Sequence, residues 1–144
     1  MSLFTSFGYF EDPEDDLALL RRVYESLAPG GALVLELMGS EVLSRVFAAR
    51  DWQERDGRFL LVEREVRGDL DWIENRWIIV DEQGAHEHRF GHRLYAGATL
   101  RAALQEAGFG RIVICGGLSG TRYDQHATRL VACAWRDKGE GGAS

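Results

Sequence analysis

Three stretches of this chain carry side chains that could do chemistry. The first is Thr5 to Phe10, TSFGYF. Gly8 permits a tight path there, and Phe7, Tyr9 and Phe10 could wall an apolar pocket. The plain alternative is a hydrophobic lead-in packed on the following helix. The second is His92 to Tyr95, HRLY. His92 could serve as a general base or orient a substrate. Arg93 could pair with a substrate carboxylate, and Tyr95 could cap the pocket as a second catalytic candidate. A polar strand end satisfied by its neighbours is the simpler reading of the same residues. The third is Glu74 to Trp77, ENRW. A strand puts Asn75 and Trp77 on one face and Glu74 and Arg76 on the other. Trp77 would line a substrate site or pack with Ile73 and Ile79. Arg76 would face Glu63 or Glu65 as a cross-strand pair.

Other chemistries find little support. His86, His88 and His92 share one face of one strand, but the first and third stand too far apart to hold one ion. No cysteine or acid pair of ligand spacing helps them, so no metal is expected. Nothing resembles a nucleophile elbow for serine catalysis. The acidic run at 11–16 reads as a helix N-terminus and a solvated face. A net charge of −6 and a pI near 5.2 leave no general basic surface for nucleic acid. No run approaches the roughly 18 apolar residues of a membrane span, and no basic region precedes an apolar run as in a signal peptide. Cys115 and Cys133 sit in apolar strand-like runs and read as small buried hydrophobes in a reducing cytoplasm.

The elements that must position these residues follow from pattern. At 144 residues the chain is long enough to bury a core as one domain. Asp12-Pro13 marks a helix start, with Leu17, Leu20, Tyr24 and Leu27 as its buried stripe. Ala28-Pro29-Gly30-Gly31 stops it. ALVLELM, residues 32–38, is apolar on both faces apart from Glu36. That predicts a central parallel strand covered by helices on both sides. A short helix over 41–48 follows. RFLLVEREV, WIENRWIIV and HEHRFGHRLY are strand-like and joined by turns, predicting an antiparallel meander over 53–94 inserted in an α/β body of 1–52 and 95–137. A helix ending at Gly108, the strand RIVIC, a polar loop and the strand RLVACAW complete the body. Residues 138–144 read as a flexible tail.

Three of these segments, in order, resemble the class I S-adenosylmethionine-dependent methyltransferases. SLAPGG before a buried strand resembles the punctuation before the family's fifth strand. ATLRAALQEAGF resembles its last helix. SFGYFEDPEDDLALLRRVYESL resembles the exit of its fourth strand and the helix after it. The resemblance implies the C-terminal half of a Rossmann-like sheet, with S-adenosylmethionine as cofactor and a small molecule as substrate. It places the loop with Thr5 and Ser6 beside the methyl donor and with Phe7, Tyr9 and Phe10 beside the substrate, while Trp77 and Arg93 stay candidate substrate contacts on residue type and strand position. The glycine-rich loop that lets a backbone approach such a donor is missing: GGLSG lies too late, and APGG ends a helix. The isolated chain is therefore expected to be inactive, with an open sheet edge covered in a homodimer or by a missing N-terminal half. A non-catalytic binding or dimerisation module derived from the same fold is the competing expectation.

Overall fold

The computed structural model describes residues 2–4 and 7–139. Helix α1 (Pro13–Ser26) starts as its sequence demands. The Asp12 carboxylate accepts the Glu14 N–H at 2.9 Å, proline follows, and three acids fill the first turn at the positive end of the helix dipole. Its buried side is Asp16, Leu17, Leu20 and Val23. The acidic run is thus only partly a solvated face, because Asp16 faces the core with the leucines.

Helix α1 joins strand β1 (Ser2–Phe4) to β2 (Ala32–Leu37), which pair in parallel with Ser2 opposite Leu33. This is the expected strand-helix-strand crossover. Strand β8 (Leu130–Trp135) lies antiparallel on the other side of β2, and β7 (Arg111–Cys115) flanks β8, giving the order β1-β2-β8-β7. Helix α3 (Gly97–Ala107) ends at Gly108, whose φ of 117° suits only glycine. Leu20 of α1 and Leu100 and Leu104 of α3 close over Leu33, Leu35, Leu130, Ala132 and Ala134, all nearly inaccessible. Each buried leucine contributes about 1.5–3 kcal/mol relative to exposure, and this layer is the principal core. Helices cover this one face only. On the opposite face Val34 and Cys133 stay half-buried and Val113 exposed. The expectation of helices on both sides of β2 is corrected: the described residues supply one helical layer.

A second sheet grows from the first. After the short helix α2 (Ser40–Val46), strands β3 (Arg50–Arg55), β4 (Arg58–Arg67), β5 (Trp72–Asp81) and β6 (Gly84–Arg93) run antiparallel in sequence order. The sequence reading had three of these strands, and β3 is the addition. It is turned by Asp56 and Gly57, both at positive φ, as a two-residue hairpin requires. Leu43, Ile73 and Leu94, with Met38 and Val66 against them, bolt the root of this sheet to the body. On its outer face Arg76 bridges Glu63 at 3.1 Å and Glu87 at 3.0 Å. The expected Arg76–Glu63 pair is present, and Glu87 completes it as a triad. Cys115 and Cys133 are free thiols. Among the described residues, no helix is long and apolar enough to cross a membrane.

Candidate functional site

Where the two sheets meet, a cleft of about 320 Å³ opens at the carboxyl ends of β1 and β2. Ligands of open α/β sheets bind at this end of the strands. Phe7 and Tyr9 come from the loop after β1, and Glu36, Leu37 and Met38 from the end of β2. His92 and Arg93 close β6, and Arg129 precedes β8. Four of the residues singled out by sequence, Phe7, Tyr9, His92 and Arg93, meet here. The rings of Tyr9 and His92 lie 5.5 Å apart.

The loop is held in place from below. Gly8 turns with φ 99° and its carbonyl accepts the Arg93 N–H at 2.6 Å. A Cβ at Gly8 would lie 3.1 Å from the Arg93 carbonyl, so glycine here serves the approach of two backbones. The Arg93 side chain, only 14 % exposed, donates to the Glu11 carbonyl at 2.7 Å and sets its Nε 3.3 Å from Asp16 Oδ2. Its guanidinium also lies 5.6 Å from the Trp72 ring centre. Its Nη2 and Nε are thus directed at Glu11 and Asp16 of the protein itself. Tyr95 lies beneath the cleft in the core, stacked on Phe7 at 5.1 Å, and donates its phenol to Asp16 Oδ2 at 2.7 Å. Burial pushes the Tyr95 hydroxyl far above its ordinary range, and the Asp16 carboxylate adds to that. Burial likewise raises Asp16, against the pull of Tyr95 and Arg93.

His92 is held uncharged near neutral pH because burial lowers its pKa. Its Nδ1 lies 3.3 Å from the Arg93 carbonyl. That contact assigns the proton to Nδ1 and leaves the Nε2 lone pair to accept one. A neutral imidazole with a free lone pair, in a cleft walled by aromatic rings, has the makings of a general base.

The other candidates fall elsewhere. Phe10 is 46 % exposed and does not line the cleft. Trp77 sits opposite His88, four residues along β6 from His92, or about 13 Å at strand spacing. It lines a separate 590 Å³ cavity with Gln53, Arg55, Arg58, Phe59 and Ile79 at the far end of the second sheet. Thr5 and Ser6 lie outside the described residues, as do 140–144 of the expected tail. Sequence reasoning missed Asp16, Glu36 as a cleft residue, and Arg129. Asp16 had a signal, since it stands on one helical stripe with Leu20, Val23 and Leu27.

Among the described residues, neither Gly8 nor Gly39 leaves open backbone for the close approach of a nucleoside-type donor. Gly8 is explained by Arg93. At Gly39, a Cβ would strike the Tyr123 hydroxyl at 2.2 Å, so packing explains that glycine as well.

No family model and no curated protein matches the sequence. Solved structures do. The CcbJ methyltransferase from Streptomyces caelestis superposes with a TM-score of 0.78 at 17 % identity, over 94 % of this chain and 55 % of its own. An S-adenosylmethionine-dependent methyltransferase from Clostridium acetobutylicum gives 0.76 at 15 % identity, over 94 % and 57 %. A sugar N-methyltransferase from Streptoalloteichus sp. gives 0.62 at 21 % identity, over 93 % and 53 %. The chain spans little more than half the length of these structures. Over almost all of its own length it has the α/β fold of S-adenosylmethionine-dependent methyltransferases, with an antiparallel sheet mounted on the Rossmann-like body.

Proposed function

We propose that this chain is the acceptor-side portion of an S-adenosylmethionine-dependent methyltransferase acting on a small molecule, and that it is inactive by itself. The observation that carries this reading is the position of the cleft. It lies at the carboxyl ends of β1 and β2, lined by Tyr9 and a neutral His92, in a fold shared with methyltransferases over 94 % of the chain. S-adenosylmethionine brings a methyl group already activated as a sulfonium. The chain's own residues then have three tasks: Phe7 and Tyr9 exclude water, Tyr9 and His92 orient the acceptor, and His92 Nε2 takes the proton its nucleophile gives up. Tyr95 acts from below, keeping Phe7 in place. The small cleft and the acidic surface favour a small acceptor over nucleic acid.

Strand β1 stands at the border of its sheet with β2 as its partner. A homodimer, or the remaining portion of a longer protein, would cover that edge. The test is a pair of calorimetric titrations with S-adenosylmethionine. The isolated chain should show no micromolar binding. A chimera in which the uncovered portion of the S. caelestis enzyme precedes residue 2 should bind. Light scattering on both reports whether the dimer forms only when that portion is absent. Micromolar binding by the isolated chain refutes the division of labour. A chimera that folds by circular dichroism yet fails to bind favours the non-catalytic module.

A further inference from the structure

Strand β2 reads ALVLEL, and Glu36 is its one charged residue. A carboxylate in such a strand is costly unless it is paired. Glu36 lines the cleft beside Phe7, Tyr9 and His92. Its counter-ion among the described residues is Arg129, at 3.5 Å through Nε. The Arg129 side chain is 50 % exposed and the Glu36 side chain 23 %, and no hydrogen bond in good geometry joins them. Such a half-exposed, single-point pair opens easily. The cleft's other cation, Arg93, is already bound to Asp16 and the Glu11 carbonyl. The cleft thus offers a cation the Glu36 carboxylate, in a lining that also holds the half-exposed Tyr9.

We infer that Glu36 reads a basic amine on the acceptor, with Arg129 holding the carboxylate while the cleft is empty and swinging out to solvent when an ammonium takes its place. This rests on the reading of the cleft as the acceptor site and names the acceptor's class. An ammonium has no lone pair until it loses a proton. The His92 Nε2 in the same cleft is placed to receive it. An anionic acceptor would meet Glu36 directly, and a neutral one would leave the Glu36–Arg129 pair untouched.

The test uses the isolated chain without methyl donor. Glucosamine, glucose and glucuronate carry an ammonium, no charge and a carboxylate on a common hexose frame. Each is titrated at pH 7 while the amide resonances of Leu37 and Met38 are followed by NMR. Glucosamine should bind at least tenfold more tightly than glucose. Glu36→Gln should bring it down to the glucose level. Arg129→Ala should tighten it several-fold, because the internal competitor is gone, and that sign is opposite to the one expected if Arg129 held the ligand. Thermal melts confirm that both variants are folded. Equal response to glucosamine and glucose, preference for glucuronate, weaker glucosamine binding in Arg129→Ala, or no response to any sugar overturns the inference. Amine binding here alongside a chimera that ignores S-adenosylmethionine would sink the methyltransferase reading and leave the amine site standing.

Discussion

Replacing Asp16 with alanine should destabilise the fold by about 3–5 kcal/mol, the range for removing one partner of a buried ion pair. The figure follows from what depends on this carboxylate, which is 1 % exposed. Its Oδ2 accepts the Tyr95 phenol at 2.7 Å and faces the Arg93 Nε at 3.3 Å. Alanine would leave the phenol without an acceptor, at about 1–3 kcal/mol. It would also leave the Arg93 guanidinium without its carboxylate. The two losses overlap because they share one oxygen, so they do not sum. Relief of the carboxylate's own desolvation offsets part of them. Tyr95→Phe should cost about 1.5–3 kcal/mol, as a hydrogen bond to a charged group does. The double variant removes both ends of that bond, so it should be less destabilising than the sum of the singles by about 1–2 kcal/mol. Urea unfolding at pH 7, followed by circular dichroism, gives all four corners of the cycle. A cost below about 1 kcal/mol for Asp16→Ala, or additivity within about 0.5 kcal/mol, would refute the reasoning. Asp16 would then be one more solvated acid of the α1 N-terminus, and Tyr95 a free phenol.

His92 predicts a pH dependence. Burial lowers its folded pKa below 6.5, while the unfolded chain takes the proton near that value. The unfolded state therefore binds more protons in the window just below 6.5, so stability is full above it and falls as the pH drops through it. Urea midpoints from pH 7.5 down to about 5 should show that slope, and His92→Gln should flatten it. A His92 ring that titrates above 6.5 by NMR would be the contrary result. Gly8→Ala should cost about 1–2 kcal/mol, lowering Tm by about 3–6 °C. Gly57→Ala is the control, because its φ is also positive but nothing lies within 4 Å of its new Cβ. If the two variants melt alike, the Gly8–Arg93 approach carries no constraint.

Much of the body was legible because each element announces itself locally. Asp12-Pro13 starts α1, Gly108 ends α3, and residues 32–37, apolar apart from Glu36 and bounded by Gly30-Gly31, read as a buried strand. The errors share a cause: each needs a fact from elsewhere in the chain. Asp16 looks like part of an acidic cap until Tyr95 and Arg93, far along the sequence, arrive at its carboxylate. Its place on the stripe of Leu20 and Val23 was the local signal, outweighed by the charge of its neighbours. Strand β3 is exposed at every position, so no apolar alternation marks it. Its signal was Asp56-Gly57, the dipeptide of a two-residue hairpin. The second face of β2 was read as covered because an apolar strand says that something must cover it, without saying that this chain supplies the cover. Trp77 shares a sheet face with Ile73, but sharing a face does not fix position along the strand, and the cleft lies at the other end.

The construction of the cleft explains why sequence could name half of it. Four separated segments reach it, and only the loop after β1 and the end of β6 announce themselves as chemical by residue type. Glu36 is one acid in an apolar strand, and Arg129 one cation at a loop end. Each is unremarkable until β2 and β8 pair with Glu36 opposite Val131, which brings Arg129 alongside. The division also has a functional logic. The body sheet contributes the cleft floor through residues whose backbones are fixed by pairing and by a close-packed helical layer, so they move little. The second sheet contributes His92 and Arg93 from its root, at the point where Leu43, Ile73 and Leu94 fasten it to the body. The rest of that sheet extends from this root as the β3-β4-β5-β6 meander. Under the proposed function, this arrangement holds His92 and the Glu36–Met38 floor in fixed register, because both are anchored at the root of the second sheet and in the paired body sheet.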